Sequence, residues 1–125
     1  MRNLSIVVLF LLCAALSSCA PRATTENFYF GSYSEAEALY NRGEYEKAIQ
    51  KYQAYMDENP EGNLALIAQY YIAKSQAALG RTEEAKRIFS EIVQNHPATV
   101  WANFSETQLK EMDRAAASST AAPPA

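Results

Sequence analysis

Reactive side chains are scarce in this chain of 125 residues, which holds one histidine, His96, and two cysteines, Cys13 and Cys19, both near the N-terminus. A structural or catalytic zinc site needs three or four nitrogen, sulfur or oxygen ligands brought together, and this inventory supplies no such set. A nucleophile with its base is equally hard to assemble. No serine sits in a nucleophile elbow, and the adjacent Glu83 and Glu84 point to different faces of a helix instead of forming an acid and base pair. An excess of positive charge is also missing. Eleven basic against 14 acidic side chains give a formal charge of −3, which argues against a partner held by phosphate charge, such as nucleic acid. The longest predominantly apolar run, Leu4 to Leu16, has thirteen residues, short of the roughly 20 that a membrane-spanning helix needs. No useful length alternates apolar and polar residues as a strand would. What is excluded, then, is most enzyme chemistry, a metal or other cofactor, a nucleic-acid partner and a β fold.

What is present begins with an address. Arg2, the apolar run and the small residues after it have the order of a positive n-region, an h-region and a cleavage region. Leu16-Ser17-Ser18-Cys19 resembles the lipobox of bacterial lipoproteins, in which a branched residue and two small ones present an invariant cysteine for diacylglycerol transfer before cleavage. Ser18-Cys19-Ala20 also fits ordinary signal cleavage after Ala20, which would release an exported protein without cysteine. Cys13 follows Leu12 where a lipobox needs a small residue, so it reads as part of the apolar run. The lipobox resemblance implies a signal peptide over 1–18 and lipidation at Cys19. Two or more acyl chains anchor stably where one holds marginally, and Ala20 in place of an aspartate implies the outer membrane, facing the periplasm. With that cysteine acylated, no disulfide can form in the mature domain.

The mature chain divides by composition. Residues 19–32 are the lipidated cysteine and a tether, and residues 115–125, Ala-Ala-Ala-Ser-Ser-Thr-Ala-Ala-Pro-Pro-Ala, read as a disordered tail. Between them, over 33–114, helical periodicity dominates. Ser34-Glu35-Ala36-Glu37 has the pattern of a capping box and predicts a first helix ending at Asn41-Arg42-Gly43. Four more are predicted: 44–58 before Pro60, 64–79 before Gly80, 82–94 before Pro97, and 99–114 with Trp101, Phe104, Leu109 and Met112 on one side.

The helix pairs repeat. Gly43, Ala48, Tyr52 and Pro60 recur 37 residues later as Gly80, Ala85, Phe89 and Pro97. Glycine permits the tight turn, alanine the close approach of helices, the aromatic fills the wedge between repeats, and proline ends the second helix. On these residues the region 33–114 resembles the tetratricopeptide repeat, with three extra residues around Glu61-Gly62-Asn63 relative to the usual length of about 34. Longer repeats of this kind are similar to those of periplasmic envelope families, the BamD-like outer-membrane assembly lipoproteins and the Tol-Pal coordinator proteins, of which this chain resembles a minimal version. The implied fold is all-α: two tetratricopeptide-type helical hairpins and a C-terminal capping helix, a short α-solenoid. Two repeats fall below the three usually needed to bury a repeat core, so the fifth helix is expected to close the end with a polar outer face and to bury Trp101 and Phe104.

Repeats of this family usually bind peptides or helices on the concave surface of their first helices. The resemblance implies a partner-binding face with Tyr33, Glu37, Tyr40 and Asn41 in the first repeat, Tyr70, Lys74, Ala77 and Ala78 in the second, and Phe104 and Gln108 on the cap. Tyrosine suits such a face because it offers rigid area and a polar tip; the same residues can also be half-buried packing. Phe28-Tyr29-Phe30 can dock on the open edge of the first repeat or touch a partner or membrane headgroups. Glu83, Arg87 and Glu91, and Glu106 with Lys110, are expected to pair along solvated helix faces. His96 stands at a helix end, where a cationic imidazole suits the helix dipole. The expected function is a non-enzymatic, membrane-anchored periplasmic adaptor that binds another envelope protein or peptide. The alternative is an accessory subunit of an outer-membrane assembly or secretion complex, its short array completed by oligomerisation or by stacking on a partner.

Overall fold

The computed structural model describes residues 30–120. Five α-helices follow one another: α1 (Ser32–Asn41), α2 (Tyr45–Glu58), α3 (Ala65–Ala78), α4 (Thr82–Asn95) and α5 (Val100–Thr120). Each packs against the next, and α3 also touches α5. The first helices of the pairs, α1 and α3, stand beside α5 on one side, and α2 and α4 form the other. No strand occurs among the described residues, so the fold is the all-α short solenoid implied by the repeat.

The 37-residue register holds in three dimensions. Leaving α1, the Gly43 amide donates to the Tyr40 carbonyl at 2.9 Å and the Glu44 amide to the Leu39 carbonyl at 3.0 Å. Leaving α3, Gly80 donates to Ala77 at 3.0 Å and Arg81 to Gln76 at 2.9 Å. Both exits are Schellman turns, with Gly43 at φ 77° and Gly80 at φ 76°, a backbone region that glycine enters without penalty. The second helices end alike, the Asn59 amide on the Tyr55 carbonyl and the His96 amide on the Ile92 carbonyl, both at 2.9 Å, each followed by proline.

Helix crossings are built on small residues: Ala36 and Ala73 in the first helices, Ala48 and Ala85 in the second, all completely buried. Tyr52 and its counterpart Phe89, both completely buried, fill the wedge beside them. On α5, Ala102 and Ser105 take the buried places that Ala65 and Ala68 hold on α3. Thr107, Lys110 and Arg114 stand where α3 carries Tyr70, Ala73 and Ala77, and all three are exposed. The helix thus buries one face and ends the array with a polar one.

Three expectations are corrected. The first helix starts at Ser32 and not at a capping box on Ser34. Gly31, at φ 56°, turns the chain, and the Ser34 hydroxyl accepts the Phe30 amide at 2.8 Å from inside the first turn. The last helix does not stop at Arg114 but runs to Thr120, because Ala115-Ala116-Ala117 has the highest helix propensity of any residue type and nothing before Thr120 breaks it; residues 121–125 of the expected tail lie outside the described ones. Phe104 is not core: it is 46% exposed, while Trp101 is half-buried and packs against the core.

Candidate functional site

Between the layer of α1, α3 and α5 and the layer of α2 and α4, aromatic rings make a continuous chain. Tyr45 meets Tyr40 edge to face at 5.4 Å, Tyr40 meets Tyr71 at 5.1 Å, and Tyr71 stacks on Tyr52 at 5.8 Å. Tyr52 then meets Tyr33 at 5.5 Å, and Tyr33 meets Tyr55 at 5.4 Å. Tyr71 also touches Tyr70, which contacts Phe89, Trp101 and Phe104 at 5.6, 5.2 and 6.3 Å. Offset and edge-to-face pairs of this kind are worth about 0.5–1.5 kcal/mol each beyond area burial, so the chain of rings is a rigid floor.

Of the residues expected on the binding face, the structure divides buried from available. Tyr33 is 8% exposed and Tyr70 9%, so both are core residues and not contact tips. Each ring is surrounded, Tyr33 by Tyr52 and Tyr55, Tyr70 by four aromatics, and tyrosine in such a place buries its body like phenylalanine. Tyr40 and Lys74 are half-buried, and Glu37 and Asn41 are exposed. Cys19 lies outside the described residues.

Two features are not visible from single positions. Tyr71 is the junction of the ring chain, joining α1, α2 and α3, and only its place next to Tyr70 in an aromatic pair hints at it. Phe30, Ile67 and Phe104 form a column at the repeat spacing; Phe30 is 51% and Phe104 46% exposed, with Ile67 partly buried between them in sequence register. The 37-residue offset, applied to every position and not only to the signature ones, finds this column. The surface therefore has an apolar edge at Phe30, Ile67 and Phe104 and a charged centre where Glu37, Lys74 and Glu111 occupy one register position.

Electrostatics fix these phenols as neutral groups. Burial pushes the Tyr33 hydroxyl up to about 12, helped by the nearby Glu37 carboxylate. Burial also raises Tyr52, further than Tyr33, as well as Tyr40 and Tyr70. A phenol held so far above neutrality stays protonated and is a poor base or nucleophile, so these buried rings are not poised for proton abstraction. The Tyr52 hydroxyl is buried without a hydrogen-bond partner, as is that of Ser105. Among the described residues no group of three or more histidine, cysteine, aspartate or glutamate side chains could hold a metal ion.

The opposite side, between α2 and α4, carries a groove of about 300 Å³ lined in part by Ile49, Gln53, Ile72, Arg87 and Glu91. Arg87 pairs there with Glu91, as expected, and with Glu84 at 2.6 Å in place of Glu83. A residue three positions back lets the guanidinium meet both carboxylate oxygens of Glu84. That contact holds the Glu84 carboxyl below its usual range. Lys110 and Glu106 approach only to 3.9 Å on the exposed face of α5.

A family model described as tetratricopeptide repeat matches residues 33–62 and 67–99, one match for each hairpin and together just over half of the chain. No curated protein matches the sequence. The two matches coincide with the hairpins α1–α2 and α3–α4 and leave α5 outside as the closing helix. Repeats of this type are generally non-catalytic and mediate protein–protein interaction, and this chain belongs to the tetratricopeptide repeat family.

Proposed function

We propose that this protein is a lipid-anchored adaptor of the bacterial envelope, held by Cys19 at the periplasmic face of the outer membrane, where its repeat domain binds another envelope protein or peptide. The observation that carries the reading is Leu16-Ser17-Ser18-Cys19 placed directly ahead of an interaction module. Among the described residues no helix is long and apolar enough to cross a membrane, so an anchor within the repeat domain does not compete with the lipid. Tethering confines the module to a thin layer and raises its effective concentration for membrane partners, which lets a modest intrinsic affinity suffice. The longer repeat, with Glu61-Gly62-Asn63 between the hairpins, resembles those of the BamD-like and Tol-Pal coordinator families, and no specific family role is carried over from it.

The alternative, an array completed by oligomerisation or stacking, has less support. It drew its force from the low repeat count, and α5 ends the array with Thr107, Lys110 and Arg114 outward. The test of the main reading is Cys19→Ala in cells, followed by membrane fractionation. Loss of the protein from the outer membrane into the soluble periplasmic fraction supports it, and unchanged membrane abundance overturns the anchoring.

A further inference from the structure

The repeat register allows each site in the first hairpin to be compared with its counterpart in the second, and at one place the two are unequal. At the turn between α1 and α2, Tyr40 and Tyr45 meet edge to face at 5.4 Å and Tyr40 reaches Tyr71 of the next first helix at 5.1 Å. Thirty-seven residues on, the turn between α3 and α4 carries Ala77 and Thr82, and α5 carries Gln108 in place of Tyr71. The turn itself is unchanged, with the same Schellman hydrogen bonds and nearly the same glycine φ in both hairpins. What remains is a notch of about 300 Å³ lined by Ala77, Thr82, Met112, Ala115 and Ala116.

The notch is preformed. Ala115 and Ala116 make a wall only because α5 continues past Arg114. Lys86, one turn beyond Thr82, pairs with Asp113, next to Met112, at 2.7 Å and so links α4 to α5 beside it. The lining is methyl groups, a thioether and one hydroxyl.

We propose that this notch receives an aromatic side chain, tyrosine above all, presented by a partner protein. The first hairpin shows what fits the position, since two of its own tyrosines occupy it. An apolar cavity of about 150 Å³ is enough to hold benzene, so the volume here admits a phenol ring. Met112 supplies a polarisable sulfur of the kind that favours ring contact, and the Thr82 hydroxyl can pair with the phenol oxygen. The inference rests on the adaptor reading for the existence of a partner. The notch itself can be tested whether or not Cys19 is lipidated.

The experiment is a methyl NMR titration of the detergent-solubilised full chain with N-acetyltyrosinamide, and separately with N-acetylleucinamide. Saturable shifts at the methyl groups of Met112, Ala77, Ala115 and Ala116, with affinity about tenfold weaker for the leucine probe, are expected from the added preference of ring contacts. Equal response to both probes, or no shift at these methyls, overturns the proposal. The double substitution Ala77→Tyr with Thr82→Tyr transplants the first hairpin's rings into the second. It is expected to raise Tm and abolish the tyrosine-probe response, and a double variant that binds the probe as before also overturns it. The titration of the unsubstituted chain stands alone should that variant fail to fold.

Discussion

The two hairpins share a backbone and differ in what fills it. Tyr33, Tyr40, Tyr45, Tyr52 and Tyr55 in the first correspond to Tyr70, Ala77, Thr82, Phe89 and Ile92 in the second, whereas the glycine turns and the alanine crossings are the same in both. The difference separates two requirements. Helix placement depends on small residues and on left-handed turns that glycine enters without strain. The filling depends on volume, and ring, aliphatic or hydroxylated side chains serve until one position is left unfilled, as beside Ala77 and Thr82. Phenols also carry a cost that phenylalanine and isoleucine do not, because a buried hydroxyl such as that of Tyr52 gives up water without gaining a partner.

The largest test of that comparison is truncation at the shared wedge. Phe89→Ala should destabilise by about 3–5 kcal/mol. Tyr52→Ala should cost less, because it also removes an unsatisfied hydroxyl; urea denaturation of both variants checks the order. A cost for Tyr52→Ala equal to or above that of Phe89→Ala would remove the distinction.

Alkaline pH probes the same asymmetry more broadly. Below pH 10 the buried phenols are neutral folded and unfolded, so their full contribution is present. Above the ordinary phenol value of 10 the unfolded chain ionises first, and stability falls as pH rises towards the folded value of about 12 at Tyr33. Tyr33 alone accounts for on the order of 2 kcal/mol across that window. Denaturation midpoints from pH 8 to 12 should fall steeply, and Tyr33→Phe with Tyr52→Phe should flatten the fall, whereas substitution of the exposed residue Glu37 by Gln should leave the onset at the phenol range.

The shared part of the architecture predicts equality. Gly43→Ala and Gly80→Ala place a side chain at φ 77° and 76° with open space around it, so each should cost about 1–2 kcal/mol from backbone strain alone. Unequal costs in thermal melts would show that the two turns are not the same device. The smallest effect is a gain: Tyr52→Phe, which copies the second hairpin's residue into the first, should stabilise by about 1 kcal/mol, and a loss of stability would mean the hydroxyl finds a partner.

Much of this was legible in the residues. Helices, turns and repeat register follow from Gly43, Gly80, Pro60, Pro97 and the alanines, because each of those residue types has few conformational or steric alternatives. The face was harder to read. Tyrosine has an apolar body and a polar tip, and its position in a repeat cannot tell whether the tip reaches solvent; Tyr33 and Tyr70 turned inward because neighbouring rings enclose them. The helical course of residues 115–120 was carried by alanine propensity, which the lack of large apolar residues and the closing prolines outweighed in the reading of a disordered tail. The notch beside Ala77 is legible only by difference, because it consists of rings that the first hairpin has and the second lacks.

The adaptor reading expects the partner on the side formed by α1, α3 and α5. In-cell photocrosslinking from positions 37, 41 and 74, with positions 53 and 91 in the opposite groove as controls, tests it most directly. One envelope protein captured from the first three positions and not from the controls is the predicted result; adducts confined to positions 53 and 91, or none from 37, 41 and 74, would contradict it.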